Sequence, residues 1–314
     1  MAPIDKPPTD ETEYIVMPAK STIEKLEEWV AYFPPMTRTM NAKQLVRDRR
    51  QAIRELAIAL LWGTICHLTF AVAVLAMVFG MWFGMSQGLG SVPHPWNWGV
   101  NALLILQFPI LHSLLLTRSG QRILSRLAPF GSGTTLATTT YAIIASIQLL
   151  ALFILRTPSG VVYWSASGWA LWFVGSLYGL AWLFLIKASW DAGAEVQSGL
   201  LGWMSLFRSV KPQYPPMPTS GTFKRIRHPI YLAFALTTWT VPTWTPDQIL
   251  LASTLTLYCV LGPLAKERRF AQRYGSDWAR YMSKTPYWLP QLSRSGQNPL
   301  DPAALPGSRQ RNNG

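Results

Sequence analysis

The sequence predicts an all-α, polytopic integral membrane protein with about six transmembrane helices, the last two of which form a helical hairpin. Only 14% of the 314 residues are charged, whereas soluble domains carry about 25% charged residues. The charges gather near the ends of the chain and between long runs that carry almost none. Most of those runs approach or exceed the ~20 apolar residues that a helix needs to cross a bilayer.

The first four predicted spans are long apolar runs. A polar connection rich in proline follows them and separates them from the rest of the membrane region. The spans cover residues 55–85, 98–116, 136–155 and 169–187, and the connection covers residues 188–228.

Two shorter apolar runs, residues 229–243 and 247–264, follow this connection, and the segment TWTPDQ divides them. Helices joined by so short a turn pack against each other as an antiparallel pair. We therefore expect a helical hairpin that either crosses the bilayer or dips in and returns.

Lysine and arginine alternate from one side of the predicted spans to the other. Basic connections of a membrane protein face the cytoplasm, so six crossings place both termini there. The basic segments are 41–54, 117–135, 188–228 and the region past 264; residues 86–97 and 244–246 carry no Lys or Arg, and 156–168 carries one.

The net charge of +13 also fits this orientation signal and contact with membrane lipids. We predict no nucleic-acid partner because no basic module with interleaved aromatic residues is present. Cys66 and Cys259 lie inside apolar runs without metal-type spacing, so no metal site is expected.

The two ends of the chain differ from the membrane domain, which we assign to residues 51–290. Residues 1–50 are expected to form a cytoplasmic extension with a short amphipathic helix in STIEKLEEWVAYF, and its partner is left open. Residues 291–314 are rich in Pro, Gly, Ser and Asn and predict a flexible tail.

The stretch RIRHPIY, residues 225–231, places two arginines and a histidine directly before an apolar run. Pro229 suits the first turn of a helix, which would put Arg227 and His228 at its N-terminus. A helix N-terminus favours anions, and a guanidinium there favours carboxylate or phosphate. Positive charge that only fixes the membrane orientation is the alternative.

Two further polar features are candidates. Glu267 stands among Lys266, Arg268 and Arg269 after the last apolar run, where it either neutralises those bases or binds a ligand amine or ribose hydroxyl. His112 lies within the second span, where ionisable residues are functional candidates by default. A neutral histidine bonded to a neighbouring helix is an equally good interpretation of His112.

A set of spaced residues resembles the isoprenylcysteine carboxyl methyltransferase superfamily of membrane methyltransferases. The resemblance is closest to the methanethiol S-methyltransferase-like branch and covers roughly residues 98–290. The residues that carry it are Gly221, Phe223, Arg227-His228-Pro229, Tyr231, Glu267, Tyr274-Gly275, Trp278, Tyr281, Pro286 and Pro290, together with ILHSLL, RILSRLAP, TTYAIIASIQLLALF and YPPMP.

This resemblance implies S-adenosyl-L-methionine as cofactor, in a pocket formed mainly by residues 212–290 on the cytoplasmic side. By the same resemblance, Arg227 lies near the cofactor carboxylate or shapes the loop. The cofactor-binding residues it implies are His228, Tyr231, Glu267, Tyr274, Trp278 and Tyr281.

The sequence departs from the family pattern at two points. Lys266 stands where the family usually has the first Glu of a pair, which weakens the list of cofactor contacts. The segment LATTTY, residues 136–141, replaces a charged pair that this branch tends to carry, and this puts the thiol substrate in doubt.

The leading hypothesis is a methyltransferase that S-methylates a small thiol such as methanethiol. A thiolate is the nucleophile in such chemistry, so a base or a cation is needed near it, and His112 and Arg227 are the predicted catalytic residues. One alternative is a carboxyl methyltransferase on a prenylcysteine-like or other lipid acceptor. Another is a transport or assembly protein with a degenerate cofactor site.

Overall fold

The computed structural model describes residues 42–288, with side chains from residue 49 on except that of Phe130. The described residues from Arg50 on belong to one compact unit. The amphipathic helix expected in residues 21–33, the tail 291–314 and Pro290 lie outside the described residues.

Helices dominate the described region. They are α1 (Ala42–Trp82), α2 (Trp96–Leu115), α3 (Arg118–Leu127), α4 (Gly133–Ile154), α5 (Gly168–Asp191), α6 (Ala194–Gln197), α7 (Leu200–Phe207), α8 (Pro229–Trp239) and α9 (Pro246–Lys284), with 3₁₀ turns at Pro129–Gly131 and Gly221–Lys224 and short strands β1 (Trp164–Ser165) and β2 (Thr243–Trp244).

Five of these helices are long and apolar enough to cross a membrane: α1 from Arg49 on, α2, α4, α5 and α9. The predicted all-α, multi-pass membrane fold is therefore confirmed. Helix α8 has 11 residues and is ~16 Å long, which is shorter than the ~30 Å core of a bilayer. The fifth predicted span, residues 229–243, is thus a short apolar helix that packs against α5 and α9.

The predicted hairpin is formed by α8 and α9, and a two-stranded ribbon ties its turn to the loop before α5. Strand β2 in that turn pairs antiparallel with β1, with Trp164 opposite Trp244 and Ser165 opposite Thr243. Trp169 and Trp172 are each 81% exposed at the start of α5. Exposed tryptophans of this kind are typical of the boundary between bilayer and water.

The core lies between the spanning helices, and their outer faces are apolar. Met81 of α1, Leu152 of α4 and Leu255 of α9 are nearly inaccessible within one buried cluster. Large side chains such as Leu68 and Leu183 are more than half exposed, as expected of surfaces that contact lipid.

The connection 188–228 contains regular structure, namely α6, α7 and a 3₁₀ turn. Helix α7 packs closely on α4: Thr139 donates a hydrogen bond to the carbonyl of Gly199 at 2.7 Å and accepts one from Trp203 N at 2.9 Å. A Cβ at Gly202 would lie 2.5 Å from the Thr139 hydroxyl. The LATTTY segment therefore forms a docking surface for α7.

Helix α9 continues about 20 residues past the predicted end of the last span at residue 264. Residues 246–274 run without a break over ~43 Å, so the basic and aromatic segment begins as a continuation of the spanning helix. The helix bends at Gly275, which has φ 50° and ψ −118°. This bend redirects the last turns of α9 towards the loop that precedes α8, as the contacts below show.

Candidate functional site

The site begins where α8 starts. Pro229 is the first residue of α8 and His228 precedes it as the N-cap residue, as the sequence predicted. His228 is only 1% exposed. A histidine this deeply buried needs a polar partner.

Glu267 of α9 supplies that partner. Its Oε1 lies 2.8 Å from His228 Nε2 and 3.0 Å from Arg227 Nε. The Arg227 contact is an ion pair without hydrogen-bond geometry. The structure thus brings together three of the predicted site residues, and Glu267 pairs with Arg227 across two elements.

The protonation state of His228 follows from its burial. Burial lowers its pKa to about 4, although the bond to Glu267 acts in the opposite direction. The ring is therefore neutral at pH 7, so Nε2–H donates to the carboxylate and Nδ1 is an acceptor. Nδ1 is buried without a hydrogen-bond partner among the described residues, which leaves it available to a ligand donor.

Arg227 also holds the chain that follows α9. Its Nη1 donates to the carbonyls of Met282 at 3.0 Å and Thr285 at 3.2 Å, and its backbone N–H donates to the carbonyl of Pro286 at 2.9 Å. These bonds join the loop before α8 to the end of α9. Of the two roles predicted for Arg227, this geometry supports shaping the loop.

Two tyrosines flank His228. The ring of Tyr287 lies 4.6 Å from the imidazole and that of Tyr231 lies 5.9 Å from it, both steeply inclined to it. Tyr287 is held in place because its hydroxyl donates to the carbonyl of Val260 at 2.7 Å. Its ring also lies 5.6 Å from the Arg227 guanidinium.

An open cavity of about 510 Å³ adjoins this cluster. Its size lies within the range of about 300–1,000 Å³ that is usual for small-molecule sites. The indole N–H of Trp288 is buried without a partner among the described residues. The lining residues are Arg227, Val260, Met282, Ser283, Lys284, Thr285, Pro286, Tyr287 and Trp288.

The other predicted aromatic residues gather on the far part of α9. Tyr274 and Trp278 each lie 5.4 Å from Phe270, edge to face. Tyr281 packs on Trp278 and donates its hydroxyl to the carbonyl of Phe223 at 2.7 Å. Tyr281 therefore touches the loop before α8, whereas Trp278 and Tyr274 build the packing behind it.

Lys266, the departure from the family pattern, lies over two aromatic rings. Its Nζ is 5.2 Å from the centre of Phe270 and 5.7 Å from that of Phe223. Cations bind favourably to aromatic faces. The lysine, which stands where the family usually has a carboxylate, therefore packs against the ring of Phe223 in the loop before α8.

His112 lies apart from this cluster, in α2. Its ring contacts Phe108 at 5.1 Å and Tyr141 at 5.0 Å, and its Nδ1 is buried without a partner among the described residues. A chain of contacts leads from it towards His228. Ser113 donates to the hydroxyl of Tyr258 at 3.5 Å, and Tyr258 lies 6.3 Å from Tyr231.

Asp191 is a site-forming residue that the sequence did not single out. It ends α5, forms an ion pair with Lys187 and accepts a hydrogen bond from Thr222 N at 2.8 Å. A Cβ at Gly221, whose φ is +60°, would lie 2.4 Å from this carboxylate. Asp191 thus anchors the loop that presents Arg227. The one feature of the sequence that could have indicated it is the position of an acidic residue at the end of an apolar run.

Within the part of the chain that the structure describes, no group of three or more His, Cys, Asp and Glu could hold a metal ion. Cys66 and Cys259 are buried free thiols.

Several of the proteins that resemble this chain share one name. The chain is 25% identical over 247 residues to "Methanethiol S-methyltransferase" of Pseudomonas sp. (strain GM41(2012)), which covers 75% of this chain and 91% of that protein. It is 26% identical over 238 residues to "Methanethiol S-methyltransferase 2" of Bradyrhizobium diazoefficiens, with 74% and 90% covered. The chain is a homologue of the methanethiol S-methyltransferases.

This homology confirms the predicted resemblance and the predicted enzyme class, a methyltransferase in a membrane-spanning chain. The chain is also 30% identical over 183 residues to "Nurim" of Sus scrofa, which covers 53% of this chain and 64% of that protein. No protein-family model and no solved structure matches the chain.

Proposed function

We propose that this homologue of the methanethiol S-methyltransferases transfers the methyl group of S-adenosylmethionine to a small thiol such as methanethiol. One observation carries the proposal. Arg227, in the cluster with Glu267 and His228, lines an open cavity of about 510 Å³, and the buried Nδ1 of His228 is an acceptor without a hydrogen-bond partner among the described residues.

The residues around the cavity fit the polar and aromatic parts of S-adenosylmethionine. Arg227 and Lys284 line the cavity and offer cations to the cofactor carboxylate. Tyr287 and Trp288 offer aromatic faces to the adenine. Glu267 suits the amino group or the ribose hydroxyls.

Bound there, S-adenosylmethionine would supply an electrophilic methyl group on a sulfonium. The transfer needs positioning above all, and the loop before α8 is held from several sides. Tyr281 and Asp191 fix its backbone, while Trp278 and Tyr274 support Tyr281. These aromatic residues act as supports of the pocket.

We assign deprotonation of the methyl acceptor, the thiol, to His112 as the proposed base. Among the described residues, His112 Nδ1 has no hydrogen-bond partner, and a base that takes a thiol proton needs such a vacant acceptor position. Arg227 is already engaged with Glu267 and two backbone carbonyls, so its contribution is to hold the loop and the cofactor.

We further propose that the site faces the cytoplasm and that residues 51–290 form the catalytic domain. The Arg227 loop and the end of α9 belong to the basic side of the chain, which is the cytoplasmic side of membrane proteins. Both termini then lie on that side, and membrane lipids surround the spans.

The proposal is tested by calorimetric titration of the detergent-solubilised protein with S-adenosylmethionine, followed by addition of methanethiol and measurement of dimethyl sulfide. We expect saturable binding and product that depends on both compounds. A chain that binds no S-adenosylmethionine is not this enzyme and fits the degenerate-site alternative. Binding without thiol turnover, but with methylation of a prenylcysteine or other lipid acceptor, would replace the thiol by that acceptor.

His228→Ala and His94→Ala form a matched pair for the same titration. His94 is exposed in the loop before α2, remote in sequence from the site. We expect the His228 variant to bind S-adenosylmethionine about tenfold or more weakly and the His94 variant to match the wild type. Equal affinities of the two variants would contradict the proposed cofactor site.

A further inference from the structure

One face of α9 leads from the middle of the membrane towards the basic end of the chain. Tyr258, Gly262, Ala265 and Arg269 follow one another at intervals of four, three and four residues. Residues at these intervals share a helix face. Along α9, this face therefore carries a tyrosine first, then two small residues, and then a cation.

The charge of Arg269 acts electrostatically on four side chains. Three of them belong to other helices and one belongs to α9 itself. These are His112 of α2, Tyr141 of α4, Tyr231 of α8 and Tyr258 of α9. Its positive charge therefore acts on a polar cluster among the spanning helices, while the Arg269 side chain itself is exposed.

This cluster has hydrogen-bonding capacity that the fold does not use. His112 Nδ1 is buried without a partner among the described residues. The Ser113–Tyr258 bond is long, at 3.5 Å, and Tyr141 donates to the backbone carbonyl of His112 at 3.3 Å. Polar side chains inside a span are costly unless they face a partner, a cavity or a substrate.

The cluster also joins the cofactor side of the site through Tyr231. This ring lies 5.9 Å from His228 and 6.3 Å from Tyr258. A Cβ at Gly262 would meet Tyr258 at 3.1 Å and Tyr231 at 3.4 Å. The missing side chain at Gly262 therefore lets both tyrosines lie against α9.

We infer that Arg269, His112, Tyr231 and Tyr258 form the subsite for the sulfur of a small thiol, with Arg269 as the cation that favours its thiolate. This inference deepens the proposed function and rests on it. The thiol proton passes to His112 Nδ1. The acceptor sulfur then forms a bond to the methyl carbon while the bond from that carbon to the sulfonium breaks and its electron pair stays with the donor sulfur.

The test compares Arg269→Gln with Arg268→Gln. Both arginines are exposed on α9 and both changes remove one positive charge, but Arg268 lies outside the face that carries Tyr258. The first readout is binding of methanethiol in the presence of S-adenosylhomocysteine, measured calorimetrically at several pH values. The second is the affinity for S-adenosylmethionine, and the third is the pH dependence of kcat/KM for the thiol.

We expect Arg269→Gln to weaken thiol binding at neutral pH about tenfold, to move the rise of kcat/KM to higher pH and to leave the affinity for S-adenosylmethionine unchanged. Arg269→Lys, which keeps the charge, should recover most of the loss. Arg268→Gln should match the wild type in all three measurements.

Two outcomes would overturn the subsite. Equal thiol binding and equal pH profiles for the Arg269→Gln and Arg268→Gln variants would show that Arg269 does not act on the acceptor. A loss of S-adenosylmethionine affinity in the Arg269→Gln variant would assign the residue to the cofactor side. Failure of the proposed function is distinct, because the wild type itself would then bind no S-adenosylmethionine or methylate no thiol.

Discussion

Helix α9 carries two largely buried carboxylates, Asp247 near its start and Glu267 farther along, and the two sites differ in how completely the fold satisfies them. They are about 20 residues apart, or ~30 Å along a helix, which equals the thickness of a bilayer core. The two acids are therefore as far apart along α9 as the two boundaries of a bilayer core.

Asp247 lies in a network that engages both of its oxygens, while Nε and Nη2 of Arg156 are buried without a hydrogen-bond partner among the described residues. It is 3% exposed, as is Arg156, whose Nη1 lies 3.4 Å from its Oδ1, and its Oδ2 accepts a hydrogen bond from Ser159 N at 2.8 Å. Asn101 links this pair to the backbone of Thr157. The adjoining gap of about 10 Å³ has room for little more than a single water molecule.

Glu267 lies in an open arrangement. Its partner Arg227 lines a cavity of about 510 Å³, and Nδ1 of its other partner, His228, has no hydrogen-bond partner among the described residues. The comparison indicates that the Asp247 network fastens α9 to the loops around it, whereas the Glu267 cluster keeps capacity for a ligand. Substitutions at the two ends should therefore separate stability from binding.

The largest effect is expected from Asp247→Ala. The change leaves the buried guanidinium of Arg156 without its counter-charge, and removal of one partner of a buried ion pair costs about 3–5 kcal/mol. Thermal unfolding in detergent should show a large fall in Tm, while the protein that stays folded should bind S-adenosylmethionine as the wild type does.

Asp277→Ala is the control for that experiment. Asp277 also faces an arginine, Arg280, but both side chains are more than two-thirds exposed, and exposed pairs contribute about 0–1 kcal/mol. Equal changes of Tm in the two variants would mean that the Asp247 network does not stabilise the fold as its burial implies.

Glu267→Gln is expected to have the opposite profile. The amide keeps the shape and can still accept from His228, but it loses the charge opposite Arg227 and towards a ligand amine. Hydrogen bonds to charged groups contribute about 1.5–3 kcal/mol, so S-adenosylmethionine should bind about 10–100-fold more weakly by calorimetry. A Tm loss as large as that of Asp247→Ala, with unchanged affinity, would assign Glu267 to the scaffold.

A pH titration of stability probes the burial of His228. Its pKa is about 4 in the fold and about 6.5 when unfolded, so the unfolded chain binds the extra proton between these values. Stability is therefore full above pH 6.5 and falls as pH decreases towards 4. The expected loss between pH 6.5 and 5 is on the order of 2 kcal/mol.

His228→Gln isolates the contribution of this imidazole from that of every other group in the protein. The variant should show a flatter fall of Tm between pH 6.5 and 5 than the wild type. Parallel curves for the two proteins would show that His228 is not held neutral by burial.

The sequence was sufficient for features that depend on local pattern. The apolar runs predicted the spanning helices, and Pro229 predicted the start of α8. Two properties could not be read in this way. The continuation of α9 beyond residue 264 was hidden because its charged and aromatic residues ended the hydrophobic run without ending the helix, and the length of α8 depended on where it packs between α5 and α9.

The candidate site shows the same division. The spacing of known motif residues identified Arg227, His228 and Glu267, which the fold brings into contact. The partners that position them, Asp191 at the end of α5 and the backbone carbonyls of residues 282–286, carry no motif because a carbonyl is the same in every residue. Long-range hydrogen bonds of this kind depend on tertiary structure alone.

The smallest effect is expected from Tyr281→Phe. This change removes the hydroxyl that donates to the carbonyl of Phe223 at 2.7 Å, on the loop that presents Arg227 and His228. A single neutral hydrogen bond contributes about 1 kcal/mol, so we expect a fewfold loss of S-adenosylmethionine affinity with little change in Tm. Tyr163→Phe, at an exposed position near β1, is the control and should change neither quantity. If instead the Tyr281→Phe variant lost Tm and kept its affinity, the region around Glu267 would serve stability, as the Asp247 network does. The distinction between the two carboxylate sites would then fail.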